Sequence, residues 1–335
     1  MSQPGPRVSD VAVLGLGNWG TALAHHLATA GHNVLGWTIE PEIERGIAAN
    51  GRNPRFLSGV ALSPRLTATQ DLQRALERRL IVLAVPSAAL GDVLPKLVAA
   101  PETIFVSAVK GIETSSLQTP LQYARTIFPD RYRFAVLSGP SFARDVAAGR
   151  PCGVVAASID EGVAREVAET FNSESMRVYL STDPLGVEIG GITKNVIALA
   201  AGISDGLGLG DSARAGLITR GLAEMMRLGV AMGARMETLA GLSGLGDLSM
   251  TATSDLSRNR TVGLRLGRGE QLTAIIASLG SVAEGVTTTP LVLELAKRYQ
   301  VEMPITDHVA RLLRGEETPQ ELVRSLIARP LRREF

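Results

Sequence analysis

The sequence predicts an α/β fold. An open doubly wound sheet is expected over residues 1–184, followed by an all-helical domain over residues 185–335. Three observations carry this. Short apolar runs alternate with helical stretches through the first half. A glycine fingerprint, "GLGNWG" from Gly15 to Gly20, joins the first apolar run to the first helical stretch. After "STDP" at 181–184 the strand signal stops and only helical candidates follow.

The elements justify this in order. "VAVLG" at 11–15 is a short apolar run ending in glycine, and "NVLGW" at 33–37 is a second. "LIVLAVP" at 80–86 is halted by Pro86. "TIFVSAV" at 103–109, "FAVLSGP" at 134–140, "GVVAAS" at 153–158 and "MRVYLS" at 176–181 complete the series. Apolar runs without alternation suit strands buried on both faces, as in a parallel sheet. "TALAHHLATA" and "AALGDVLPKLVAA" read as helices between them, and a βαβα order points to a doubly wound sheet. In the second half, helices are expected at 187–203, 212–232, 284–299, 304–313 and 318–328. "TPQELVRSLIARP" has a cap, an acidic first turn, a basic last turn and a terminating proline. There is no internal repeat and no low-complexity segment.

A length of 335 residues suggests about two domains. The net charge of +1 gives no bulk electrostatic case for nucleic acid or an acidic membrane. An aromatic content of 4% further weakens a base-stacking role. The single cysteine, Cys152, cannot form an internal disulfide and fits a reducing compartment. Its setting, "PCGVVAAS", reads as a buried strand, so a core residue is expected rather than a nucleophile. His25, His26, His32 and His308 show no metal spacing, and no metal site is expected. "MSQPGPRVSD" lacks the charged-then-apolar pattern of a signal peptide and reads as a loose tail. Every long apolar run is broken by a charge or glycine, so no membrane span is expected. These readings place the protein in the cytoplasm.

"GLGNWG" fits G-x-G-x-x-G, follows a strand and opens a helix. Gly15 allows a tight turn, Gly17 lets the backbone approach a pyrophosphate, and Gly20 permits close helix–strand packing. The helix N-terminus then presents free N–H groups to phosphates. The alternative is a glycine-rich turn with no ligand. Glu40 follows the second strand, where an acidic residue hydrogen-bonds the adenine ribose hydroxyls and disfavours a 2′-phosphate. Arg45 is nearby, a few residues late, as a compensating charge.

The stretch "GVEIGGITKNVIALAAGIS", residues 186–204, poses a different question. Between Ile189 and Ile203 its one charge is Lys194. Burying an unpaired ammonium costs several kcal/mol or strips its proton. Either Lys194 snorkels to water along its stem, or something needs a lysine there. Three polar islands also interrupt apolar surroundings. "VSAVKGIE" puts Lys110 after a strand, and "LSGPSFARDV" puts Gly139, Pro140 and Ser141 after another. "GLSGLGDLSMTATSDLSRNRTVG" puts Asp247 after glycines and gathers Arg258, Asn259 and Arg260. Ligands in open α/β sheets bind beyond the carboxyl ends of the strands, so the first two islands belong on the ligand side. Taken singly, a strand-end lysine is a solvated loop residue, "SGPS" a turn, and "SRNR" a helix start.

Taken together, the blocks resemble bacterial-type NAD(P)-dependent glycerol-3-phosphate dehydrogenases. "GLGNWGTALA", "AVKGIE", "LSGPSFARDVAAG", "GGITKNVIALAAGISDGLGLGDSARAGLITRGLAEM", "GLGDL", "SRNR" and "VEMPIT" fall in that family's order and spacing, from about residue 10 to 330. The resemblance implies a Rossmann-type dinucleotide-binding domain, a helical substrate domain and a homodimer. It implies reduction of dihydroxyacetone phosphate to sn-glycerol 3-phosphate with NAD(H) or NADP(H), supplying glycerophospholipid synthesis.

By resemblance, Lys194 is the general acid, its pKa lowered by an apolar helix, with flanking glycines admitting substrate. Lys110 contacts substrate and cofactor. Gly139, Ser141, Asn195 and Asp247 match substrate positions, and Ser257, Arg258 and Asn259 a phosphate clamp. Asn18, Trp19, Ala143, Arg258, Val282 and Glu284 match cofactor contacts, beside Gly15, Gly17, Gly20 and Glu40. At Ile39 many relatives carry a basic residue; Ile39–Glu40 here implies a preference for NADH. Two rivals remain: a related dehydrogenase for another small acid or phosphate, and a non-catalytic NAD(H) sensor. "SRNR" with "GGITKNV" argues against the first; the second would need neither Lys194 nor Lys110.

Overall fold

The computed structural model describes residues 9–128, 133–279, 283–331 and 333. The expected loose tail falls almost wholly outside these. The chain divides into two compact units, Met1–Glu188 and Ile189–Phe335.

The first unit runs β1 (Asp10–Leu14), α1 (Asn18–Thr29), β2 (Asn33–Trp37), α2 (Pro41–Asn50), β3 (Leu66–Thr69), α3 (Leu72–Leu76), β4 (Leu80–Leu83), α4 (Leu90–Val93), β5 (Ile104–Ser107), α5 (Pro120–Ile127), β6 (Arg133–Ser138), α6 (Ala143–Ala147), β7 (Cys152–Ala157), α7 (Glu161–Phe171) and β8 (Met176–Ser181). The strands form one sheet in the order β3-β2-β1-β4-β5-β6-β7-β8. β4 and β5 are buried at every position, as their unbroken apolar runs require. Val11, Val13, Val82 and Val106 meet Leu23 and Leu27 of α1 in one core. Each such side chain contributes about 1.5–3 kcal/mol on burial.

Three details depart from the sequence reading. β7 runs antiparallel to β6, while the other pairings are parallel. The helix between them, α6, has five residues, about 7.5 Å at the α-helical rise, too short to carry the chain back along a six-residue strand. β3, "LTAT", is an edge strand whose polar composition hides it. The helix expected around residues 88–100 is broken into 3₁₀ turns flanking α4, because Pro95 lacks the N–H that a longer helix needs. Cys152 opens β7 half-buried rather than in the core. Burial, aided by Asp145, raises its thiol pKa, which disfavours the reactive thiolate.

Glu188 is a buried carboxylate of this unit. Its Oε1 accepts the Leu121 N–H at the start of α5. Burial pushes its pKa up to about 7 against the opposing Thr119 and Leu121 hydrogen bonds and the Arg125 charge. A carboxyl raised above its ordinary value of 4.5 favours the folded state fully below that value. That contribution is lost as pH rises toward and through 7, on the order of 3 kcal/mol in all. Glu188→Gln should therefore show a smaller fall in melting temperature between pH 5 and pH 8 than the wild type. Parallel curves would show that Glu188 does not titrate in this window.

The second unit is helical. It takes in most of α8 (Pro184–Gly206), then α9 (Gly210–Ala231), α10 (Met236–Ala240), a π-helical turn at Leu242–Gly246, α11 (Asp247–Thr253), α12 (Arg258–Gly267), α13 (Leu272–Leu279), α14 (Glu284–Arg298), α15 (Pro304–Leu313) and α16 (Pro319–Ile327). Among the described residues α8 alone is long and apolar enough to cross a bilayer, and its apolar window is wholly buried inside the protein. Glycines set its packing. A Cβ on Gly202 would lie 2.1 Å from the Arg260 carbonyl oxygen, and one on Gly263 2.1 Å from that of Leu199. α8 and α12 therefore touch backbone to backbone. The "MPIT" segment also has a structural role: Glu224 accepts N–H bonds from Ile305 and Thr306 and so caps α15.

Candidate active site

In the first unit the fingerprint turn does what its glycines require. Gly15 adopts φ +99° and its amide donates to the Trp37 carbonyl at the end of β2. A Cβ on Gly20 would lie 1.8 Å from the Gly15 oxygen, so only glycine fits there. A Cβ on Gly17 would meet nothing within 4 Å. Its lack of a side chain answers no internal packing need, and it leaves backbone open to an outside group. Gly17 caps α1 without a side-chain hydrogen bond, so no capping side chain occupies the helix start where a pyrophosphate would bind. The Trp19 Nε1 is buried with no partner among the described residues. Together these fit a dinucleotide.

The two strand-end islands meet here. Lys110 Nζ donates to the Gly139 carbonyl at 3.4 Å and lies 6.0 Å from the centre of the Trp19 ring. The Ser141 hydroxyl donates to the same carbonyl. Gly139 has φ +149°, and a Cβ there would lie 2.8 Å from Val154 Cα, so the antiparallel β7 demands this glycine. Ala143 opens α6 just beyond. Glu40 follows β2, accepts the Thr38 hydroxyl and is partly exposed. Ile39 is 72% exposed and carries no charge.

The second unit holds the other group. Lys194 does not snorkel: it is 6% exposed, and its Nζ donates to Asp247 Oδ1 at 2.5 Å and to Thr251 Oγ1 at 3.0 Å. Asp247 is fully buried. The expectation of an ammonium alone in an apolar helix is thus corrected. Desolvation disfavours the charge, and the carboxylate beside it favours the charge. The glycine expectation is also corrected at Gly190. A Cβ there would lie 2.5 Å from the Ser243 oxygen, so Gly190 lets α8 press on the π-helical turn that delivers Asp247. Such π turns recur at functional sites.

Asn195 follows on α8. Its Oδ1 accepts from Asn259 Nδ2, and Asn259 Oδ1 accepts from the Gly285 amide. Asn195 Nδ2 is buried with no partner among the described residues. Ser257 caps α12 through the Arg260 amide. The two arginines of "SRNR" separate: Arg260 binds Asp205 and Asp255, while Arg258 is exposed. Glu284 opens α14 half-buried, and Val282 lies outside the described residues. Thr251 escaped the sequence reading, although it sits four residues after Asp247 on the same helix face.

Comparison with known proteins decides the family. Residues 10–164 match the family described as NAD-dependent glycerol-3-phosphate dehydrogenase N-terminus, and residues 183–324 match its C-terminus. The chain belongs to the NAD-dependent glycerol-3-phosphate dehydrogenase family. It is 51% identical over 328 residues to the glycerol-3-phosphate dehydrogenase (NAD(P)+) of Desulfovibrio desulfuricans, covering 97% of this chain and 98% of that one. It is 49% identical to the one from Thioalkalivibrio sulfidiphilus, covering 100% of both. The crystal structure of glycerol-3-phosphate dehydrogenase from Coxiella burnetii superposes with a TM-score of 0.92 at 39% identity, over 96% of this chain and 99% of that chain. The expected Rossmann-type sheet followed by helices is the architecture this family shares.

Proposed function

We propose that this chain reduces dihydroxyacetone phosphate to sn-glycerol 3-phosphate with NAD(P)H, with NADH preferred, supplying glycerophospholipid synthesis. Relatives of that name across the whole chain support it. The observation that carries it is the buried Lys194 ammonium, oriented by Asp247 and Thr251 next to an Asn195 amide nitrogen with no protein partner. A sensor would have no use for this arrangement.

In this reading the first unit supplies most of the dinucleotide contacts and the second most of the substrate contacts. Gly15, Gly17, Asn18, Trp19 and Gly20 hold the pyrophosphate turn, Glu40 the ribose, and Ala143, Arg258, Val282 and Glu284 further parts of the cofactor. When bound, NAD(P)H supplies the hydride that goes to C2 of the ketone. Lys194 Nζ gives a proton to the alkoxide forming there, and takes it back in reverse. Asp247 holds the ammonium in place. Lys110 stabilises the negative charge on the same oxygen, and Gly139 and Ser141 fix the lysine's carbonyl partner. Asn195 Nδ2 donates to the substrate. Arg258 presents a planar fork to the phosphate, helped by the Ser257 hydroxyl and the second amide hydrogen of Asn259.

Because Arg258 is exposed, its ion pair with phosphate is partly screened. Arg258→Ala should weaken the phosphorylated substrate by about 2 kcal/mol, roughly thirtyfold in KM. An unchanged KM removes it from the clamp. Two further features belong to this proposal. An apolar groove of about 1510 Å³ along α9 and α16, with Leu209, Val230, Met236 and Ile327 exposed in it, suits a second copy of the chain as a homodimer. A lone cysteine suits the cytoplasm. The reaction itself is tested by incubating protein, NADH and dihydroxyacetone phosphate and resolving the product by stereospecific assay. Recovery of sn-glycerol 3-phosphate supports the reading, and its absence refutes it.

A further inference from the structure

We propose that Arg55 is a specificity-determining residue of the cofactor site, and that it receives the 2′-phosphate when NADPH binds. The inference rests on the dinucleotide reading of the first unit. It starts from Asn53, which is 0% exposed in the loop after α2. Its Nδ2 donates to the Leu16 carbonyl and to Thr21 Oγ1, both at 2.9 Å. Its Oδ1 accepts the amides of Arg55 and Phe56 at 3.0 and 2.9 Å. Every donor and acceptor of this amide is used. One buried side chain thus fastens the backbone of Arg55 to the fingerprint turn.

The Arg55 side chain reaches the ribose-binding end of the site. Its Nη1 lies 3.9 Å from Glu40 Oε1 and 3.8 Å from Glu42 Oε1. Both distances exceed hydrogen-bond length. The guanidinium rests 5.5 Å from the centre of the Phe56 ring, and the side chain is 57% exposed. It is therefore positioned by an aromatic face between two carboxylates, with its fork hydrogen-bonded to neither. Arg45, the cation closer in sequence, lies exposed on α2.

The chemistry follows from the pair. A carboxylate at Glu40 suits a ribose diol and repels a 2′-phosphate. A guanidinium about 4 Å away offers that phosphate two parallel N–H donors. Glu40 sets the preference for NADH, and Arg55 keeps NADPH admissible.

The test is binding, and it does not depend on turnover. Full-length wild type, Arg55→Ala and Arg55→Lys are titrated with adenosine 2′,5′-bisphosphate and with adenosine 5′-monophosphate. Arg55→Ala should weaken the bisphosphate about tenfold while the monophosphate changes less than about twofold, the loss expected for one charge-assisted contact at an exposed site. Arg55→Lys should recover part of the loss, and the difference should shrink at high salt. Equal weakening of both probes, or no weakening of either, overturns the proposal. Wild type that binds neither probe overturns the dinucleotide reading beneath it.

Discussion

Lys194→Ala should lower kcat about 10²–10⁴-fold, the range that a positioned general acid contributes. Its NADH affinity should stay near wild type, because in this account Lys194 meets the substrate and is not one of the dinucleotide contacts. The variant also leaves Asp247 buried without its ammonium, so turnover must be read well below its melting temperature. A profile of kcat against pH separates chemistry from folding. If Lys194 is the proton donor, the wild-type profile has a limb that the variant lacks. Near-normal turnover in a folded variant would remove Lys194 from the chemistry and leave it as half of a structural ion pair.

Asp247→Ala should be the most destabilising of these substitutions, by about 3–5 kcal/mol, because it strands a buried cation. The Nζ would keep Thr251 as a hydrogen-bond partner, which does not neutralise charge. Lys194→Met added to Asp247→Ala should recover much of the loss, since the second change removes the stranded charge and nearly conserves the lysine's volume. Denaturant melts of the two single variants and the double variant give the coupling directly. Additive losses would show that the pair contributes nothing as a pair.

Much of this was legible in the chain. The strands of the sheet were visible because residues buried on both faces must be apolar in succession, as in "LIVL" and "IFVS". β3 was not, since an edge strand can afford the threonines of "LTAT". The reversal at β7 depends on how far α6 can carry the chain, which its composition does not state. At the site, Lys194 stood out as a lone charge among apolar neighbours. Its partner did not, because Asp247 lies 53 residues away, on the far side of a π-helical turn that packs closely on Gly190. The arginines of "SRNR" looked alike in sequence; Asp205 and Asp255 separate them in space. Arg45 looked nearer to Glu40 than Arg55 for the same reason, until Asn53 folded the later loop onto the fingerprint.

The most direct measurement is the loss of nicotinamide absorbance with dihydroxyacetone phosphate, run in parallel with NADH and with NADPH. The account predicts oxidation that requires the phosphorylated ketone, fails with unphosphorylated dihydroxyacetone, and shows a higher kcat/KM with NADH. No oxidation with either cofactor, by folded protein that binds NADH, would contradict it and bring forward a sensor or a different substrate.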